Sequence, residues 1–195
     1  IERTAKLYIG GKQTRPDGGY SLAVCGADGS LLGDVGRGNS KDVRNAVEAA
    51  RAAQAGWAAQ SAHGRAQVLY YFAENLEARR KEFMGRLAAL SGDAESAHRE
   101  FETTIDRLFT YAAWADKWEG RVHHTPFRNV TLAMKEPIGV MGAVCPQVHP
   151  LLGFVSCVAP LIAVGNAVVV VPSEVGPLVA TDLYQILDTS DVPGG

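Results

Sequence analysis

The sequence predicts an α/β protein built around the opening of a doubly wound parallel sheet, with a hairpin segment and a helical segment in front of it. Three observations carry that prediction. Residues 138–187 alternate strand and helix signals in the order β-α-β-α. Val168-Val169-Val170-Val171 is a β-branched run of the kind a parallel strand covered on both faces requires. Between 39 and 119, apolar residues recur at helical spacing rather than in alternation.

The elements follow in chain order. Leu7-Tyr8-Ile9 before Gly10-Gly11 reads as a short strand and a turn. Ser21–Cys25 and Leu31–Val35 flank Ala27-Asp28-Gly29-Ser30, a hairpin signal. Residues 1–38 are therefore expected to form small antiparallel sheets. A helix capped by Asn39 or Ser40 follows, with Asp42 in its first turn and Val43, Val47, Ala50 and Trp57 on its inner face. His63-Gly64 is expected to interrupt it. A second helix is expected over 65–90, burying Val68, Leu69, Phe72, Leu76 and Phe83. Ser91-Gly92-Asp93 closes it. A third is expected over 94–119, with Phe101, Ile105, Leu108, Phe109, Ala112 and Ala115 buried.

Gly120 stops that helix, and Val122–Met134 reads as extended, Val130, Leu132 and Met134 alternating with Thr131 and Ala133. Such a segment, within 120–136, serves either as an arm pairing with another chain or as a strand of an internal hairpin, and both readings stand. From 137 the pattern changes. Ile138–Cys145 reads as a strand, Pro150–Val164 as a helix opened by proline and closed by Gly165, Ala167–Val171 as a second strand and Pro177–Leu187 as a second helix. Val192-Pro193-Gly194-Gly195 reads as a turn into a further element. This is a partial Rossmann-like arrangement, with a strand edge expected to be left open.

Composition excludes several functions. Of 195 residues, 47% are apolar and 21% charged, with 19 Lys and Arg against 21 Asp and Glu. A balance this even gives no field for nucleic acid. Pro137–Ser173 lacks any charged side chain, but its prolines, Gly165-Asn166 and the β-branched run argue for buried core rather than a membrane span. The polar opening, Ile1–Lys12, has no signal-peptide character. Cys25, Cys145 and Cys157 are too few and too scattered for a disulfide framework, so a reducing, cytoplasmic setting is expected.

Chemistry in such a sheet belongs at the carboxyl ends of its strands. Those ends are Val144-Cys145-Pro146-Gln147-Val148-His149 and Val171-Pro172-Ser173-Glu174. Glu174 is either an acceptor for ribose hydroxyls or a solvated loop acid. Gly33-Asp34-Val35-Gly36-Arg37-Gly38 matches neither the dinucleotide fingerprint nor a P-loop, and turn chemistry explains it. Cys145, His149 and Cys157 lack the second ligand pair that a metal site needs, and the apolar setting of the two thiols predicts raised pKa values and low reactivity.

Glu136-Pro137-Ile138-Gly139-Val140, Pro146 with Pro150, Ala159-Pro160, Gly165-Asn166 and Pro172-Ser173-Glu174 together resemble the first half of the aldehyde dehydrogenase superfamily. The corresponding patterns there are E-P-x-G-V, P-W-N-x-P, A-P-x-L-x-x-G-N and K-P-S/A-E. Leu7–Gly11, Val43–Ala53 and Tyr111–Asp116 agree with it, so the resemblance covers 1–195. It implies an NAD-binding fold and oxidation of aldehydes to carboxylic acids. Two departures matter. Val148 stands where the family's oxyanion asparagine stands, and losing one such donor costs roughly a hundred- to thousand-fold in rate. Val171 stands where the family has the lysine that helps hold the adenosine ribose. The residues left for a nucleotide are Glu174, Ser173, Val144, Cys145, Pro146 and Gln147. The family's nucleophilic cysteine and general-base glutamate lie beyond the matched region.

Within the superfamily the chain resembles the second, non-catalytic domain of the two-domain family-16 aldehyde dehydrogenases. The resemblance thus implies a pseudoenzyme module with no catalytic residue of its own. It needs no cofactor, and NAD affinity is at most weak. Its partner, a protein or a second copy, is expected to dock through Val122–Met134. The alternatives are part of an active NAD-dependent aldehyde dehydrogenase and a nucleotide-binding module without catalysis.

Overall fold

The computed structural model describes residues 4–194. The expectations for Ile1–Lys12 and Val192–Gly195 therefore fall partly outside the described residues, at 1–3 and 195. In chain order the elements are β1 (Leu7–Ile9), β2 (Lys12–Thr14), β3 (Ser21–Cys25), β4 (Leu31–Gly36), α1 (Ser40–Ala59), α2 (Ala62–Ala78), α3 (Arg80–Ser91), α4 (Ala94–Trp114), β5 (Arg121–His123), β6 (Thr131–Ala133), β7 (Val140–Val144), α5 (Pro150–Ala163), β8 (Ala167–Val171) and α6 (Pro177–Thr189).

The strands pair two by two: β1–β2, β3–β4 and β5–β6 are antiparallel, and β7–β8 is parallel. The β1–β2 turn uses Gly10 and Gly11 at φ of 60° and 71°, the positive values a tight hairpin turn demands at both central positions. The sequence reading missed β2, because Lys-Gln-Thr carries no apolar alternation.

Three helix expectations are corrected. His63 and Gly64 do not interrupt a helix; they lie in the first turn of α2, and the break falls at Gln60-Ser61, where Ser61 Oγ accepts from Gly64 N–H at 3.0 Å. The single helix expected over 65–90 is two, broken at Arg79, which leaves helical geometry at φ −103°, ψ 18°. The bend lets α2 and α3 each lie along α4 and bury Leu76, Phe83 and Leu87. Arg79 and Arg80 hold it from outside, pairing with Glu82, Glu77 and Glu102. The third helix ends at Trp114 rather than Glu119.

Two expected core residues are exposed. Val43 faces a cleft beside α1, and Phe109 lies at the flank of α4 with its ring 5.9 Å from that of Tyr70. The observed core runs through α2, α3, α4, α5 and α6, with Leu69, Phe72, Phe83, Phe101, Leu108 and Leu183 fully buried.

Val122–Met134 is not one extended arm. The chain turns back between His123 and Thr131, and β5 pairs with β6, Val122 opposite Leu132. The internal-hairpin reading describes the backbone. The apolar side chains remain outside: Val122, Phe127, Val130, Leu132 and Met134 are all exposed.

The parallel pair is fixed by the end of α5, whose last carbonyls are satisfied from three directions. Trp57 Nε1 donates to Ile162 O at 2.9 Å, Arg65 Nε to Ala163 O at 3.0 Å and Asn166 Nδ2 to Leu161 O at 3.1 Å. Asn166 Oδ1 accepts from Gly139 N–H at 3.0 Å, so the Gly165-Asn166 pair ties the end of the helix to the start of β7. Replacing Trp57 with Phe keeps the ring and removes one buried donor. The expected loss is about 1 kcal/mol of stability, read as a lower urea midpoint at unchanged slope.

Candidate cofactor site

β7 and β8 run in register from Val140 opposite Ala167 to Val144 opposite Val171, so both carboxyl ends open on one side. The loops leaving them face each other. Gln147 joins them: its Oε1 accepts from Glu174 N–H at 2.9 Å and lies 3.4 Å from Ser173 Oγ. Ser173 Oγ also reaches Gln147 O at 3.3 Å and accepts from Val175 N–H at 3.2 Å. Ser173 is buried and spent on this network, whereas the Glu174 side chain is exposed and has no hydrogen bond or ion pair among the described residues. It is the free acceptor of the pair.

A cleft of about 550 Å³ runs along β8 between α1, α6 and the β3–β4 hairpin, and its wall is mostly apolar. Val171, Ser173 and Glu174 line it. Val144, Cys145, Pro146, Gln147 and Val148 do not. The structure therefore brings Gln147, Ser173 and Glu174 together and leaves Val148 apart, 67% exposed on the β7 loop with no polar atom in its side chain. Val144 is exposed as well, and Cys145 is buried in the core, where desolvation pushes its thiol up to about 12. A thiol so protonated is no nucleophile at neutral pH.

The sequence reading missed Glu100. This α4 carboxylate is buried and reaches across to the start of α5, where Oε1 accepts from Leu151 N–H at 2.9 Å and Leu152 N–H at 3.2 Å. Its Oε2 lies 3.5 Å from His149 Nδ1. His149 occupies the N-cap in a left-handed conformation, φ 51°, and offers no cap of its own. A helix start after the first strand of such a sheet ordinarily receives an anion. Here the protein's own carboxylate takes up two of the free backbone donors at the α5 N-terminus. The signal was present: Glu100 falls on the buried stripe of Ala97, Phe101, Thr104 and Leu108.

The parallel β-α-β unit with its crevice at the strand ends defines a Rossmann-like α/β fold. Within that class the chain belongs to the aldehyde dehydrogenase family, whose profile matches residues 15–195. It is 30% identical to mouse cytosolic 10-formyltetrahydrofolate dehydrogenase, covering 100% of this chain and 23% of that protein. It is 32% identical to human retinaldehyde dehydrogenase 3, covering 97% of this chain and 38% of that one. Among solved structures, an aldehyde dehydrogenase from Bacillus cereus superposes with a TM-score of 0.93 at 24% identity, covering 98% of this chain and 40% of the other. A betaine aldehyde dehydrogenase from Staphylococcus aureus in complex with NAD+ gives the same TM-score at 22% identity, again covering 98% and 40%. The chain thus spans under half the length of each relative. Among the described residues no helix is long and apolar enough to cross a membrane, and no group of His, Cys, Asp and Glu has the makings of a metal site.

Proposed function

We propose that this segment is a non-catalytic aldehyde dehydrogenase-like module, with a structural role beside a catalytic aldehyde dehydrogenase domain or subunit in the cytoplasm. The observation that supports it most is Val148. It sits at the carboxyl end of β7, where the family pattern has asparagine, and carries no donor for a developing oxyanion. The resemblance to the second domain of the family-16 enzymes agrees with this reading.

The docking surface we assign to the module is the β5–β6 hairpin. A two-stranded hairpin is marginal alone, and this one presents Val122, Phe127, Val130 and Leu132 outward. Exposed apolar groups on one projection suit a protein partner or a second copy. Leu132→Asp is expected to weaken self-association or capture by the partner subunit at least tenfold while leaving the helical circular dichroism unchanged. Sedimentation equilibrium of the wild type and the variant tests it, and equal association would remove the hairpin as the docking surface.

A second reading, nucleotide binding without catalysis, is favoured by Glu174. Its free carboxylate stands on the rim of the cleft after the end of β8, which supports a role as acceptor for the ribose hydroxyls of NAD. NAD, when bound, supplies a hydride acceptor. The residues here offer it one acceptor for the ribose and an apolar wall for the base, and Val171 adds no donor. Weak affinity follows, and none is required for the structural role.

A further inference from the structure

We propose that the apolar cleft along β8 binds an aliphatic carboxylate, its hydrocarbon chain laid along β8 and its head group held by Lys6 and Arg37. The site needs neither the structural role nor a nucleotide. Among the described residues β8 pairs only with β7, so its other edge opens on the cleft. α1 walls the space with Ala46 and Ala53, and α6 walls it with Ala180 and Leu187. The volume of about 550 Å³ is of the size in which small ligands are held. An apolar lining of this kind draws affinity from buried hydrocarbon.

The surrounding charges set the sign of the head group. Two cations, Lys6 and Arg37, and two acids, Asp42 and Glu174, line the cleft. Asp42 is buried and already accepts from Asp17 N–H at 3.1 Å and Asn39 N–H at 2.9 Å. The backbone sets the cations side by side. Ala5 N–H donates to Asp34 O at 2.8 Å and Gly36 N–H to Ala5 O at 2.7 Å, so Lys6 lies beside the chain leaving β4 at Arg37. Neither cation has an ion pair among the described residues. A second cavity, of about 830 Å³ between β2, β3 and α6, shares Lys6, Thr181 and Tyr184 with the cleft. It adds Arg15, a third cation without an ion pair among the described residues, and its one acid, Asp182, is paired with Arg86 at 2.9 Å. An apolar trough thus runs out at Lys6 into a polar, cationic chamber. That polarity matches a ligand with a hydrocarbon tail and an anionic head, and it disfavours a cation.

Isothermal titration of the chain with decanoate, octanoate and decanol tests this. Saturable uptake of one decanoate per chain is expected. Octanoate, shorter by two methylenes, is expected to bind roughly tenfold more weakly. Decanol, which lacks the charge, is also expected to bind roughly tenfold more weakly than decanoate. Lys6→Gln combined with Arg37→Gln brings decanoate down to the level of decanol and leaves decanol unchanged, which reports an intact cleft. Ala53→Leu narrows the cleft and is expected to lose most of the binding of both ligands. No saturable uptake, equal affinity for decanoate and decanol, or a preference that survives the double substitution would overturn the proposal. So would uptake indifferent to Ala53→Leu, which would place the ligand on the exposed β5–β6 hairpin. Self-association abolished by Ala53→Leu, with no uptake of decanoate, would give the cleft to a second copy and equally overturn it.

Discussion

Glu100→Ala is expected to be among the most destabilising single substitutions in the chain. The wild-type carboxylate satisfies two backbone donors that have no partner within α5, and one of its oxygens faces His149. Alanine leaves those donors buried beside the core, Leu151 being fully buried. Hydrogen bonds to a charged group contribute roughly 1.5–3 kcal/mol each, and an unsatisfied buried donor costs about 1–3 kcal/mol. A total loss of roughly 3–4 kcal/mol follows, with a fall in Tm of about 2–4 °C per kcal/mol for a chain of this size. Glu100→Gln keeps one carbonyl acceptor and is expected to lose about half as much. Thermal and urea unfolding of the three proteins measures this. A shift in Tm within error for Glu100→Ala would show that α5 does not depend on the carboxylate.

Val171→Lys is the second large effect, and it runs in the opposite direction. Val171 ends β8, is 48% exposed and lines the same cleft as Glu174. A lysine there places an ammonium beside the free carboxylate, on the side where a ribose would lie. One charge-assisted hydrogen bond of about 1.5–3 kcal/mol converts to roughly a ten- to hundredfold gain in NAD affinity. Isothermal titration of the wild type, Val171→Lys and Val171→Lys with Glu174→Ala tests this. The account predicts weak binding, a gain and loss of most of that gain. An equal gain in the double variant would mean that the ammonium attracts phosphate non-specifically and that Glu174 does not hold the ribose.

Much of this architecture is legible in the sequence because single residues force it. Gly10-Gly11 and Asp28-Gly29 dictate hairpin turns, and both hairpins form. Val168–Val171 is β-branched enough to announce a strand, and it pairs with β7 in parallel, but it is half-buried rather than covered on both faces, because one side opens on the cleft. Pro150 and Gly165 bound α5 as the proline and glycine rules require. What escaped depends on partners distant in sequence. The bend at Arg79 has no glycine or proline to announce it; it follows from two helices sharing α4. β2 exists because β1 pairs with it, not because Lys-Gln-Thr favours a strand. Phe109 reads as core from its spacing, yet α4 turns it toward Tyr70 at the flank.

The candidate site divides the same way. The strand ends, Glu174 and the two valines are visible from motif order alone. The Gln147 bridge is not, because it spans two loops that only the β-α-β crossover brings together. Glu100 lies fifty-one residues before Leu151, the first backbone donor it satisfies, and no local pattern links the two. A lone acid within an apolar stripe is the residue-level sign that such a partner exists.

The central proposal is that this segment has no catalysis of its own, with Val148 at the oxyanion position and the family's nucleophilic cysteine and general-base glutamate beyond the matched region. The most direct measurement is the initial rate of NADH formation by the purified chain with millimolar NAD and a series of short aliphatic and aromatic aldehydes. The account predicts rates indistinguishable from a blank without protein at every aldehyde concentration. A rate that saturates with aldehyde and scales with the concentration of the chain would contradict it.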